Sequence, residues 1–421
     1  MIIYFDILLV LFLLVFLYQN KYLDFLNPTF LYLIIHIFFI TYKGVQNFIF
    51  NSTISSNNWY DIAINLNDIS KAILIDDLSL ISFFIGFYFY KKKYSNTGVR
   101  LQRQYKIIIE ERPRLLKLYL GLVVILGFIG MASYSFIPGV ELDDIEGNTF
   151  TNTLSSLGII SALILVYQFG FKLKYNLFFG VMILVYSVQG GNRYRVILPL
   201  LFILLLYLKI KNLKIPPLKF IILGFFIILL SFPLKQIGKT FQEDNRIDLI
   251  DVVTNSFEDF TEGKSGDLEF IEQSAAMISN IDEKGVVFYG RTYTPILFFW
   301  IPRVFWKEKP KMNDWQWEIS SVGRDFGQMG QISLIGGESY ANFRWLGVFL
   351  IPFIVGRFYS FLYYSYSSLP YNHKGFLLLL FYNMIIFQAW RDGLISLILF
   401  PIVYYSPLFI LYWIKKTKKH K

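Results

Sequence analysis

Residues 289–310 read YGRTYTPILFFWIPRVFWKEKP, and residues 336–347 read GGESYANFRWLG. The apolar piece from Pro295 to Trp306 is too short to cross a bilayer, which takes about 20 residues. Along the stretch prolines sit at Pro295, Pro302 and Pro310, and Arg291, Arg303 and Lys307 punctuate the aromatic residues. Such a segment neither spans a membrane nor dissolves freely in water. It belongs at the interface, with Trp300 and Trp306 at headgroup depth and the cations near lipid phosphates. A loop that merely packs on the membrane fits the same pattern.

The flanking chain sets this segment in a membrane. Hydrophobic residues make up 55% of the 421 and charged ones only 17%, below the roughly 25% of a soluble domain. Apolar runs fall at 2–18, 30–42, 73–90, 117–136, 153–171, 175–189, 194–208, 219–233, 346–366, 375–390 and 394–414. The chain therefore reads as an all-α polytopic membrane protein with about 11 transmembrane helices. The first run lacks a basic flank and a small-residue cleavage site, and is expected to be retained as a span. The division that follows is a bundle of eight spans over 1–233, a large loop over 234–345, and spans nine to eleven with a basic tail over 346–421.

Lysine and arginine set the orientation. The loop 91–117 carries Lys91, Lys92, Lys93, Arg100, Arg103, Lys106, Arg112, Arg114 and Lys117; the linker 209–219 and the tail after Lys415 are also basic. These three fall on one side if the spans alternate, and that side is cytoplasmic. The opposite loop 137–152 holds only acidic charges, Glu141, Asp143, Asp144 and Glu146. Eleven spans then put the N-terminus outside, the C-terminus inside and the loop 234–345 outside. That loop opens with acidic, water-soluble sequence containing amphipathic stretches near Ile247–Phe260 and Leu268–Ile278.

The same distribution excludes nucleic acid as a partner despite a net charge of +10, because the basic residues gather beside apolar runs. With no cysteine there is no disulfide and no thiolate chemistry. His36, His373 and His420 are far apart and make no metal-ligand spacing. No phosphate loop, H-E-x-x-H or nucleophile elbow occurs.

The outer face collects Arg193, Arg195, Arg291, Arg303, Arg324, Arg344 and Arg391. Arginine is depleted from short outer turns, yet Arg193 and Arg195 sit in G-G-N-R-Y-R (190–195) and Arg391 in W-R-D-G (390–393). A guanidinium fork suits phosphate, and Gly190 and Gly191 let a backbone approach a diphosphate. Pairing with Asp392, Asp325 or lipid headgroups would equally account for any one of them. Arg357 lies inside the ninth run, with Asp76 and Asp77 of the third run as possible partners. Glu338, just before the ninth run, is the best-placed carboxylate for a general base, since a low-dielectric edge favours proton uptake near neutrality. Asp325 and Asp392 are alternatives, and a salt bridge to Arg344 would account for Glu338 equally well.

Taken together, G-G-N-R-Y-R, Y-G-R-T-Y with W-I-P-R-x-x-W-K-E-K-P, and E-S-Y-x-N-F-R-W-L-G resemble the bacterial O-antigen (oligosaccharide repeat-unit) polymerases. Where many of those proteins have glycine after N-F, this chain has Arg344. The resemblance implies a GT-C-like inner-membrane glycosyltransferase working on the periplasmic side. It would move a growing glycan from undecaprenyl diphosphate to a new lipid-linked repeat unit, without metal or nucleotide sugar, alongside a flippase and a chain-length regulator. Arg193, Arg195, Arg291 and Arg303 would hold the diphosphate and Glu338 would deprotonate the acceptor. Arg344, Arg391, Tyr293 and Asn192 lie in the same stretches as secondary candidates. Trp300, Trp306, Trp315 and Trp317 would anchor at the interface or stack on sugars. An O-antigen ligase shares these features; a flippase would be expected to show internal repeats and short loops on both sides.

Overall fold

The computed structural model describes residues 1–49, 65–89, 113–135, 157–167, 169–170, 172–188, 194–219, 222, 254, 270–299, 301, 305–306, 308–309, 314–319, 332–371, 373–402 and 406. Among them every regular element is a helix. In chain order these are α1 Ile2–Gln19, α2 Pro28–His36, α3 Tyr42–Phe48, α4 Leu66–Phe89, α5 Pro113–Ser135, α6 (157–167), α7 Leu173–Val188, α8 Tyr194–Ile210, α9 Phe270–Glu283, α10 Thr294–Phe298, α11 Asp314–Ile319, α12 Leu334–Tyr366, α13 Lys374–Met384, α14 Ile386–Asp392 and α15 (394–402).

Four segments are long and apolar enough to cross a membrane: Ile2–Gln19, Pro28–Phe48, Leu66–Phe89 and Leu334–Tyr366. Five shorter apolar helices coincide with further apolar runs: Lys117–Gly127, Leu157–Tyr167, Leu173–Ile183, Val196–Ile210 and Gly375–Met384. The expected run 375–390 is not one helix. It divides at Ile385 (φ −89°, ψ 1°) into α13 and α14. Most of the runs 219–233 and 394–414, and Ile247–Phe260 apart from Thr254, lie outside the described residues.

The chain forms two compact units. One contains Met1–Arg103, Glu262–Ser368 and Ile385–Leu399; the other contains Gln104–Thr261, Leu369–Met384 and Phe400–Lys421. In the first, α1 buries Ile3, Asp6, Val10, Leu13 and Leu17 at helical spacing and turns Tyr4, Leu8, Leu11, Phe12 and Val15 outward. An outer surface that apolar is a lipid-facing one. α2 begins at Asn27, whose side chain accepts the Thr29 N–H, with Pro28 at the first helical position. A π-turn, Ile37–Thr41, joins it to α3 without ending the span.

The centre of this unit is the pair α4 and α12. A Cβ at Gly86 would overlap the Phe353 carbonyl, and one at Gly356 would overlap the Phe83 carbonyl. The two helices therefore touch backbone to backbone at reciprocal glycines, the packing that drives association in lipid, where burial of apolar surface no longer does. The Ser82 hydroxyl donates to the Phe349 carbonyl across the same contact.

α12 is broken. Phe343 (φ −140°, ψ 20°) and Arg344 (φ 53°, ψ −144°) are non-helical, so the chain turns sharply between a short helix carrying Glu338 and Asn342 and the long apolar one. A break frees the last carbonyls of the first piece. Phe288 N–H and Tyr289 N–H supply the donors, to Ala341 O and Asn342 O at 3.0 Å each.

α9 covers the amphipathic stretch expected near Leu268–Ile278 and buries its apolar residues. Phe270, Ile271, Ala275, Ala276, Met277, Ile278 and Ile281 are buried against α4 and α12. In the second unit, α6 is buried from Ile159 to Tyr167. The Tyr167 hydroxyl donates to the His373 carbonyl at 3.1 Å.

Candidate functional site

The first turn of α12 is LIGG, and its two glycines decide how deep the following carboxylate sits. A Cβ at Gly336 would lie 2.7 Å from Ser79 Oγ of α4, and one at Gly337 2.9 Å from Met277 Cε of α9. The bare backbone presses between those helices, and Glu338 follows it in to 1% exposure. Its Oε2 accepts the Leu394 N–H at 2.7 Å, and its Oε1 accepts the Thr292 hydroxyl at 3.3 Å. Leu394 can approach because Gly393 has φ 85° and no side chain; a Cβ there would overlap the carboxylate. A carboxylate has about four acceptor positions, so two donors leave capacity at Glu338.

Asn342, one turn further, holds the opposing strand of chain. Its Oδ1 accepts Gly290 N–H at 2.9 Å, and its Nδ2 donates to Thr292 Oγ1 at 2.7 Å and to Glu338 O at 2.9 Å. Thr292 thus accepts from Asn342 and must aim its own proton at Glu338. The Y-G-R-T-Y and E-S-Y-A-N-F-R stretches, about 50 residues apart in sequence, are locked together around one carboxylate. Tyr293 joins them with its hydroxyl buried. Burial, and then the Glu338 charge, push this phenol well above its ordinary value.

The arginines divide. Arg291, beside Thr292, is exposed, pairs with Glu318 and lies 5.0 Å from the Phe288 ring. Arg344 does not pair with Glu338. Its Nη1 meets Asp282 at 2.6 Å, while Nη2 donates to Val286 O at 2.9 Å and Ile281 O at 3.3 Å, capping the end of α9. Asp282 also receives Lys71 and, at 2.8 Å, the Tyr340 hydroxyl. Arg391 Nε lies 3.5 Å from Asp392 Oδ1, with its guanidinium over Phe270. Asp392 also receives Gln388 and, at 3.5 Å, Ser396. Desolvation still raises its carboxyl above the ordinary value of 3.8 against the lowering effect of Arg391, Gln388 and Ser396. Arg195 is described by its backbone at the start of α8, in the second unit; Asn192, Arg193, Arg303, Arg324 and Asp325 lie outside the described residues.

Trp315 is neither an interfacial anchor nor a sugar platform. It is buried, edge-on to Phe288 at 5.7 Å. Trp306 packs edge-on against Phe298 at 5.2 Å, and the side chains of Trp300 and Trp317 are outside the described set.

A second polar cluster escaped the sequence spacing. His36 of α2 is fully buried, with Nδ1 2.9 Å from Asp76 Oδ2 and Nε2 2.8 Å from Asp6 Oδ1 and 3.3 Å from Asp77 Oδ1. Asp76 and Asp77 therefore face His36, and Arg357, proposed above as their partner, is exposed. The three acids come from α1 and α4, 30 to 41 positions from the histidine, beyond any ligand-spacing motif. The available signal was simpler: one ionisable group in each of the first two spans and a pair in the third, all needing neutralisation in the same bilayer.

No family model matches this chain, and neither does any curated protein or solved structure.

Proposed function

We propose that this chain is a polysaccharide polymerase of the inner bacterial membrane that joins undecaprenyl-diphosphate-linked repeat units on the periplasmic face. One observation carries this: two of the stretches that resemble the O-antigen polymerases, Y-G-R-T-Y and E-S-Y-x-N-F-R, fold around one buried carboxylate, Glu338, with the exposed cation Arg291 one residue from its hydroxyl partner Thr292. On this reading the eleven spans run from a periplasmic N-terminus to a cytoplasmic C-terminus.

The acceptor hydroxyl approaches Glu338 Oε1 from the side of the long, easily replaced Thr292 bond. Glu338 takes its proton as the acceptor oxygen bonds to the anomeric carbon of the donor. The bond from that carbon to the diphosphate breaks, and undecaprenyl diphosphate leaves with the electron pair. Direct displacement inverts the anomeric configuration, as in single-displacement glycosidases. Arg291 stabilises the charge on the leaving diphosphate, the role that the resemblance also implies for Arg193, Arg195 and Arg303, each charge-assisted bond contributing roughly 1.5–3 kcal/mol.

The test is chain growth by purified protein on lipid-linked repeat units. Glu338→Gln is expected to lower the rate by at least ~100-fold, and Arg291→Ala and Arg193→Ala by at least ~10-fold each. Near-normal growth by all three variants overturns the assignment. Deleting the chain in its host should leave a single repeat unit on the carrier glycolipid; bare core would identify a ligase instead.

A further inference from the structure

The mechanism above uses none of the groups around His36, and their arrangement is that of ligands. We propose that α1, α2 and α4 enclose a divalent-metal site of the zinc class, with His36 Nε2, Asp6 and Asp77 as ligands and Asp76 orienting the imidazole. The proposal is independent of the polymerase reading, because the ion would clamp three spans rather than act in glycan transfer.

Geometry comes first. The ligating atoms of Asp6, His36 and Asp77 all lie within 4.8 Å of one another. Zinc–nitrogen and zinc–oxygen bonds of ~2.0–2.1 Å make tetrahedral edges of about 3.3 Å. His36 Nε2 lies 3.3 Å from Asp77 Oδ1 and 2.8 Å from Asp6 Oδ1, so admitting an ion opens one edge by about half an ångström. The other ring nitrogen donates to Asp76 at 2.9 Å. That is the carboxylate–histidine–metal relay: the second-shell acid fixes the tautomer and leaves the Nε2 lone pair pointing at the ion.

The hydrogen-bond inventory points the same way. His36, Asp6, Asp76 and Asp77 are at most 1% exposed. Asp6 Oδ2, Asp76 Oδ1 and both oxygens of Asp77 have no hydrogen-bond partner. An imidazolium would serve Asp6 and Asp76 with hydrogen bonds and meet Asp77 only as an ion pair at 3.3 Å, leaving both Asp77 oxygens without a hydrogen bond. A dication on a neutral imidazole would engage Asp77 directly. The donor set is one nitrogen and carboxylate oxygens with no sulfur, which suits zinc and its first-row neighbours, with a fourth position open.

The backbone is shaped for it. The π-turn Ile37–Thr41 immediately follows His36, and its hydrogen bonds run from i to i+5, which widens the turn relative to an α-helix. It brings Thr41 onto the same side as His36, where its hydroxyl donates to Asp6 Oδ1 at 3.3 Å. A regular α-helix would carry residue 41 round by a further 140° from residue 36.

The experiment uses the full chain in detergent, stripped with a chelator, given excess Zn²⁺ and desalted, with metal counted by mass spectrometry. About one tightly held equivalent per chain is expected from the mononuclear arrangement. Asp77→Asn and His36→Gln should lose it, and Asp76→Asn should weaken it ~10–100-fold. Glu338→Gln should bind as the native protein does. Zn²⁺ should raise the melting temperature of the native chain and not that of Asp77→Asn. In case the variants fail to fold, Co²⁺ loaded into the native protein supplies an independent reading: intense visible bands of a low-coordinate nitrogen–oxygen site are expected. A monodisperse native chain that retains no zinc, a Co²⁺ spectrum like that of the hydrated ion, or undiminished binding by folded Asp77→Asn and His36→Gln each overturns the proposal.

Discussion

Arg344 occupies a backbone conformation, φ 53° and ψ −144°, that favours glycine, at the position where the resembling proteins often have glycine. Holding a side chain there costs on the order of 1–3 kcal/mol. The Asp282 pair and the two carbonyl bonds at the end of α9 offset it, although the half-exposed pair is screened and counts for less than a buried one. Arg344→Ala loses those bonds and keeps the strain; Arg344→Gly loses the bonds and relieves it. Glycine should therefore be the more stable of the two by about 1 kcal/mol or more, the reverse of their order inside a regular helix. Thermal melting in detergent decides it, and alanine equal to or above glycine would refute the strained backbone. Asp392 offers a pH test. Its folded carboxyl binds a proton more tightly than in the unfolded chain, so its contribution to stability falls as pH rises from about 3.8 through the raised folded value. The melting temperature of Asp392→Asn relative to the native chain should climb across that interval and level off above it. A difference that is flat with pH would show that Asp392 is not held in its proton-binding state.

At the scale of elements, α4 and α12 depend on two glycines facing carbonyls across the contact. Because the obstructing atoms at Gly86 and Gly356 are backbone, neither helix can yield by a rotamer change. Gly356→Ala should destabilise the first unit by ~1–3 kcal/mol, and Gly86→Leu should leave no monodisperse protein after extraction. Elution by size-exclusion chromatography checks both, and normal behaviour of Gly86→Leu would disprove the backbone contact. The break in α12 has its own logic. The carbonyls it frees are taken by Phe288 and Tyr289 N–H, so the discontinuity is what ties the Y-G-R-T-Y stretch to Glu338.

For the whole molecule, the arrangement of charge along the chain predicts orientation. A periplasm-active reporter fused after Asp267 should be active and one fused at the C-terminus inactive, since basic segments remain on the cytoplasmic side. Activity at the C-terminal fusion would remove the periplasmic placement of Glu338 and with it the proposed chemistry. The helices whose exposed faces are apolar, α1 above all, need lipid around them whichever way they run.

Helical, membrane-spanning character was legible in the sequence alone, because it depends on the length and composition of contiguous runs and on backbone hydrogen bonds made within each run. Glu338 stands out in the sequence too, as a carboxylate that follows two glycines at the mouth of a span. The identity of charge partners was not legible. Glu338 meets Leu394 and Thr292 rather than Arg344, Arg344 meets Asp282, and Asp76 and Asp77 meet His36. Hydrogen bonds and contact ion pairs form only between groups brought within about 3–4 Å of one another. They are therefore settled by which helices become neighbours, and that is fixed by packing between segments 40 to 60 residues apart or more, on which local patterning is silent.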